Sequence, residues 1–277
     1  MTEVALLKVW WQILLLAVAA YFIGNINFAV IISKIKKQDI RSVGSGNPGT
    51  LNMSRNFGLK IGVLTLALDI LKGVLPTLAA SLIFKNKVFA GTQFDVSMLA
   101  KSACGLFVTT GHIFPVFMRF KGGKGIATTI GVFLVFSPVT VAISGVAAII
   151  FIMLTEIGSM GSFIATTPGA IAACKQIFDL YIKGDKGSAQ NAILAAVCNI
   201  LIILIIVLTW YAHRKNIKRL LADKEHPTGW LQSIKEARIK RKLKKRAEES
   251  GALDKISDSA LDKVGEREKS DGESETR

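Results

Sequence analysis

Apolar runs long enough to cross a bilayer recur along this chain, and they constrain its fold more than any other feature. A run of about 18 or more such residues reads as a membrane helix. Hydrophobic residues make up 51% of the 277 residues and the mean hydropathy is +0.43, a rare balance for a soluble domain of this length. The pattern predicts an all-α, polytopic integral membrane helical bundle over residues 1–229, with a cytoplasmic tail over 230–277. In that tail Lys235–Arg246 reads as a basic, helix-prone run and 247–277 as disordered.

The first span is expected over Val9–Ile32. Ala17-Val18-Ala19 resembles a signal-peptidase site, but the apolar run continues past it, which favours an uncleaved helix. Lys34, Lys36, Lys37 and Arg41 follow and outweigh Lys8, which puts the N-terminus outside and the next loop in the cytoplasm. Further spans are expected over Ile61–Phe84, from Ser97 to near His112, over Gly161–Cys174 and over Asn191–Ala212, with Lys85–Val96 and Lys175–Ala189 as outer loops. Ile126–Leu154 is too long for one span, and Ser137-Pro138 splits it into a hairpin of two shorter helices. The total is about seven transmembrane helices, or five if the split helix is one tilted span and the Gly161 segment is re-entrant. The C-terminus is then cytoplasmic.

The net charge of +15 suits anionic substrates and lipid headgroups, and also an ordinary excess of cytoplasmic Lys and Arg. No nucleic-acid-binding module accompanies it, so no nucleic-acid partner is expected. Cys104, Cys174 and Cys198 are scattered in apolar segments, a set that fits neither a disulfide framework nor a metal site.

Three polar blocks fall between the apolar runs, all on the side assigned to the cytoplasm. Gly44–Arg55 combines glycines with Ser45, Asn47, Thr50, Asn52 and the bidentate fork of Arg55. Gly111–Thr128 holds His112 and the flexible basic loop Lys121-Gly122-Gly123-Lys124-Gly125, which opens a helix whose first amides, up to Thr128, favour an anion. His213, Asn216 and Arg219 form the third block, spaced along one helical face. Glycines let backbone amides converge on a phosphate while Lys or Arg neutralises it. The plainer alternatives are a glycine-rich turn, a positive-inside loop and a cationic helix end. Gly44–Gly49 fits the dinucleotide pattern G-x-G-x-x-G by accident, because a membrane helix precedes it instead of a strand. A Walker loop fails because Gly125 follows Lys124 and Met118 stands where a glycine is required. Asp69 and Lys72, three apart in the second span, read as a pair facing the bundle interior, a buried structural pair with a catalytic pair as the alternative. Lys101 and Glu156 are expected near the interfaces.

Together the blocks resemble those of the bacterial acyl-phosphate:glycerol-3-phosphate acyltransferase family. The likeness lies in S-G-N-x-G-x-x-N-x-x-R at Ser45–Arg55, G-H-x-x-P-x-F-x-x-F-x-G-G-K-G at Gly111–Gly125 and H-R-x-N-I-x-R-L at His213–Leu220, and it covers about residues 9–225. One departure is Asp223, where the family often has glycine. The resemblance implies a bacterial inner-membrane enzyme that acylates glycerol-3-phosphate from an acyl phosphate, needs no cofactor and opens phospholipid synthesis. An acyl-phosphate-producing enzyme is a candidate partner. No His-x-x-x-x-Asp motif is present, which argues against the acyltransferases built on that dyad. The expected division gives one phosphate to Ser45, Asn47, Thr50 and the Gly122–Gly125 loop with Lys124, and the other to Arg55, Asn216 and Arg219, helped by His213. The general base is His112 or a phosphate of the substrate itself, with the substrate preferred because no carboxylate–histidine pair is evident. A Ser45 acyl-enzyme is the alternative. A transporter or flippase for a phosphorylated solute is the rival class, which would place its site near the midplane and often carry internal repeats.

Overall fold

The computed structural model describes residues 2–184, 188–222, 224, 227–229, 238, 239 and 241. Contacts divide the chain into two units, Met1–Thr228 and Gly229–Arg277. All named elements belong to the first. The helix expected over Lys235–Arg246 and the disorder expected over 247–277 lie outside the described residues, apart from Arg238, Ile239 and Arg241.

Ten α-helices carry the first unit among the described residues: α1 (Leu6–Asn25), α2 (Phe28–Ile35), α3 (Thr50–Phe57), α4 (Leu59–Ile83), α5 (Val96–Ile113), α6 (Ile126–Phe136), α7 (Pro138–Thr155), α8 (Gly158–Lys183), α9 (Ala189–Ala212) and α10 (Arg214–Leu221). Among the described residues, four stretches are long and apolar enough to cross a membrane: Leu6–Ile35, Leu59–Ile83, Pro138–Thr155 and Ala189–Ala212. α5 lies at the centre, packed against α1, α4 and α9, while α8 joins α6, α7 and α9. The core between them is apolar and closely packed, with Phe84, Phe94, Phe133, Val108 and Ile202 fully enclosed.

Local chemistry explains where the helices stop. Ser137 separates α6 from α7 and Pro138 opens α7, where its missing N–H costs nothing. The first apolar run is broken where one helix was expected. Asn27 leaves the helical conformation and its side chain accepts from Val30 N–H at 3.0 Å, capping α2. α8 also runs on to Lys183 through the expected outer loop, supported by a Lys175–Asp179 pair at 2.7 Å one turn apart. The other expected outer loop holds a short strand, β2 (Lys87–Phe89), which pairs in parallel with β1 (Thr2–Val4). This ribbon is the one departure from an all-helical unit among the described residues. Lys101 is buried rather than interfacial, its ammonium 4.4 Å from the centre of the Phe136 ring.

Chain direction then sorts the ends of the bundle. The C-terminal ends of α1, α5, α7 and α9 lie with the N-terminal ends of α4, α6 and α8, while β1 and β2 lie at the opposite end. All three polar blocks fall at the first of these ends.

Glycine allows α4 and α6 to approach closely. A Cβ on Gly131 of α6 would collide with the Ile70 carbonyl of α4, and one on Gly73 of α4 with the Thr128 carbonyl of α6. Small residues of this kind let membrane helices touch backbone to backbone. Gly131→Val and Gly73→Val are each expected to destabilise the bundle by about 1–3 kcal/mol or more, read as a lower thermal midpoint in detergent. Gly145→Ala, within α7 at a position with nothing within 4 Å, should not lower the midpoint.

Candidate active site

The first block is a loop folded around one amide. Asn52 is buried, and its Oδ1 accepts from Ser45 N–H at 3.0 Å while its Nδ2 donates to the carbonyls of Ile40 and Val43 at 3.1 Å each. The sequence placed Asn52 among the substrate-binding groups. The structure instead commits its amide to shaping the loop, because a buried turn needs its backbone groups paired. Ser45 is left exposed at the rim, with Asn47 and Thr50 half-buried beside it. A small apolar cluster of Ala29, Val30, Ile40 and Met53 lies beneath, and Met118 of the second block packs against it. That contact ties the first block to the second.

Arg55 is also placed differently from expectation. Its Nε donates to the Thr228 carbonyl at 2.8 Å and its Nη2 to the Pro227 carbonyl at 2.7 Å. Thr228 in turn donates from its hydroxyl to a Glu156 carboxylate oxygen at 2.6 Å, and its N–H reaches the Glu156 carbonyl at 3.0 Å. The fork expected to hold phosphate therefore joins α3, the α7–α8 turn and the chain beyond α10. Partial burial pushes the Arg55 pKa down, and the Glu156 charge opposes that shift.

In the second block, Gly122 N–H donates to the Ile113 carbonyl at 3.1 Å and Gly123 N–H to the His112 carbonyl at 3.2 Å. These amides bind the loop back onto the end of α5 and do not form the expected phosphate cradle. Both positions demand glycine: a Cβ on Gly122 would strike the His112 carbonyl, and one on Gly123 would strike His112 Nε2. His112, offered as a base, is buried beneath Gly123 and faces inward. Its Nδ1 lies 3.9 Å from Asp69 Oδ1, so a carboxylate–histidine neighbour exists that the sequence did not reveal. The Thr128 hydroxyl is likewise buried, and its carbonyl lies in the α4–α6 contact. Anion-binding capacity remains in the first turn of α6. Ile126, Ala127 and Thr128 precede the first intrahelical bond, Thr129 N–H to the Gly125 carbonyl at 2.8 Å. Lys124 leads into that turn and Lys121 is exposed beside it.

The third block meets the second at His213. Its Nδ1 lies 2.9 Å from the Thr209 carbonyl, which can only accept, so Nδ1 carries the proton and Nε2 the lone pair. Burial, with the Lys124 charge nearby, pushes His213 down to about 4. Phe163 packs edge-on against the ring at 5.6 Å. Asn216 is half-buried on α10 and accepts from Arg219, which is exposed, at 3.4 Å. The site therefore gathers two kinds of group: polar side chains and cations at its rim, and a neutral imidazole beside Lys124 within it.

Two stability predictions follow from this geometry. Asn52→Ala should cost about 1–3 kcal/mol, because buried groups of the loop lose their partner, while Ser45→Ala should leave the thermal midpoint unchanged. His213 sits near 4 when folded against 6.5 for the free side chain, so the unfolded chain takes up the proton first on acidification. Its contribution to stability is complete above about pH 6.5 and is lost as the pH falls towards 4. His213→Gln should accordingly lose less stability than the parent chain between those pH values in matched thermal melts.

Residues 14–223 match the family model described as "Glycerol-3-phosphate acyltransferase". The glycerol-3-phosphate acyltransferase of Finegoldia magna is 38% identical over 219 residues, covering 78% of this chain and 96% of the relative. That of Aquifex aeolicus is 35% identical over 215 residues, covering 77% and 97%. Among solved structures, PlsY (YgiH), an integral membrane glycerol 3-phosphate acyltransferase, superposes in its glycerol 3-phosphate form with a TM-score of 0.62. The identity is 34%, over 80% of this chain and 98% of that one. The lysophosphatidic acid form of PlsY gives a TM-score of 0.61 at 33% identity.

Proposed function

This chain belongs to the glycerol-3-phosphate acyltransferase family, and from that premise we propose that it transfers a fatty acyl group from acyl phosphate to the 1-hydroxyl of glycerol-3-phosphate. The products are lysophosphatidic acid and phosphate. The observation that carries the reading is the meeting of the Lys124 loop with His213 at the end of the bundle that also bears the Ser45 block.

An acyl phosphate is a mixed anhydride, so its carbonyl needs little activation. The obstacle is bringing two anionic molecules together. Lys124, Lys121 and the first-turn amides of α6 lower that repulsion and hold one phosphate, with Ser45, Asn47 and Thr50 on its other side. Asn216 and Arg219 approach the second phosphate from α10, and Arg55 frames the site between them. With the two substrates aligned, the glycerol oxygen attacks the carbonyl carbon and forms the ester as the bond to the phosphate oxygen breaks. The hydroxyl proton leaves on the departing phosphate, which serves as base. This route suits a site whose histidine at position 112 is turned inward.

A groove of about 360 Å³ between α1 and α5, lined by Tyr21, Leu106, Phe107 and Thr110, has an almost wholly apolar lining and suits the acyl chain. Tyr21 hydroxyl donates to the Phe114 carbonyl at 2.9 Å at the end of that groove nearer the polar blocks. The enzyme would sit in the bacterial inner membrane with seven spans (α1, α4–α9), its N-terminus outside and its site facing the cytoplasm. The 1–229 domain would carry the activity and the 230–277 tail would serve as an appendage.

Purified chain supplied with palmitoyl phosphate and glycerol-3-phosphate should release phosphate only when both are present. Lys124→Ala should lower that turnover by about a hundredfold or more while leaving the thermal midpoint in place. Uptake of glycerol-3-phosphate into vesicles without phosphate release would instead support a transporter.

A further inference from the structure

Beneath the Lys121–Gly125 loop lies a buried polar chain that the proposed reaction does not use. Asp69 and Lys72 of α4 are almost fully enclosed and paired at 2.8 Å. Lys72 Nζ also donates to the Ile26 carbonyl at 2.7 Å and reaches that of Gly24 at 3.5 Å. These carbonyls sit where α1 breaks off, and a helix end inside the bundle needs such a donor. The same Asp69 oxygen faces His112 Nδ1 at 3.9 Å, and that nitrogen makes no hydrogen bond among the described residues. The opposite edge of the His112 ring, Nε2, supports Gly123, whose N–H is tied to the His112 carbonyl at 3.2 Å. Lys124 is the next residue.

The neighbours therefore lead from the break in α1, through Lys72 and Asp69 and across a 3.9 Å gap to His112, to the residue before Lys124. We propose that Asp69, Lys72 and His112 are positioning residues that set the height of the Lys121–Gly125 loop and so aim Lys124 and the α6 amides at the substrate phosphate. The ion pair fixes the carboxylate, the carboxylate acts on the imidazole through space at 3.9 Å, and the imidazole is the floor on which Gly123 rests. Two neutral side chains would fill the same volume but would not fix the ring. This explains why an expensive pair of charges is kept inside a membrane helix without touching substrate.

The inference rests on the acyltransferase reading, and the test separates the two. The full-length protein is compared with the double variant Asp69→Asn/Lys72→Met, which removes both charges together and avoids a lone buried ion. His112→Gln is the second variant and leaves the charge pair intact. Each is measured for kcat, for KM towards palmitoyl phosphate, for thermal midpoint and for inorganic phosphate affinity by calorimetry. A KM raised about tenfold or more, with kcat within about threefold and weakened phosphate binding, is the expected result in whichever variants fold; the midpoint stays nearly unchanged in His112→Gln and falls in the double variant, where the Ile26 carbonyl loses its donor. Unchanged KM and phosphate affinity overturn the proposal. So does a parallel collapse of KM, kcat and midpoint, or failure of both variants to fold, since each marks a purely structural core. Absence of turnover in the parent chain would sink the acyltransferase reading, while the phosphate titration would still decide the role of the triad.

Discussion

Inside a bilayer core the backbone finds no water, so every span must satisfy its own N–H and C=O groups. That requirement drives the irregular, polar and glycine-rich stretches of this chain to the ends of its helices. Because successive helices reverse direction, stretches far apart in sequence collect at one end. The Ser45 block leaves the α1–α2 segment, the Lys124 loop joins α5 to α6, and His213 ends α9. Their meeting is a consequence of path as much as of attraction. What the side chains add is a reason to stay: Met118 seats on the cluster beneath the first block, and Arg55 binds the carbonyls of Pro227 and Thr228.

The loop chemistry departs from a simple phosphate cradle. In the second block the glycine amides point back to α5, and glycine is required there by the lack of room against His112. Positive charge and the helix terminus of α6 remain to meet an anion. The glycines therefore act chiefly by letting the loop, at Gly123, sit close over the buried His112 imidazole. Membership of the glycerol-3-phosphate acyltransferase family gives this arrangement its setting, since glycerol-3-phosphate carries an anionic phosphate.

Much of this was legible in the sequence. The break at Ser137-Pro138 follows from proline's missing donor, and the blocks announced themselves by composition. The rest depended on partners distant along the chain. Nothing near Arg55 indicates that its fork would be taken by residues more than 170 positions away. Asn52 reads as a ligand because amides bind phosphates, yet the same donors and acceptor suit a buried loop. Asp69 and His112 lie on different helices, so their proximity needs the packing of α4 against α5. The short β1–β2 ribbon and the extension of α8 past Lys175 were hidden for a related reason: short-range pattern assigns polar residues to loops, and strand pairing in the one case and the Lys175–Asp179 pair within the helix in the other overrode it.

Sidedness of the three blocks is the most direct point of attack. Single cysteines replacing Ser45, Lys121 and Lys215, in a chain with Cys104, Cys174 and Cys198 changed to alanine, can be labelled with a membrane-impermeant maleimide in vesicles of known orientation. A shared pocket predicts that all three react only when the cytoplasmic face is accessible. Labelling of any one of them from the opposite face would contradict it.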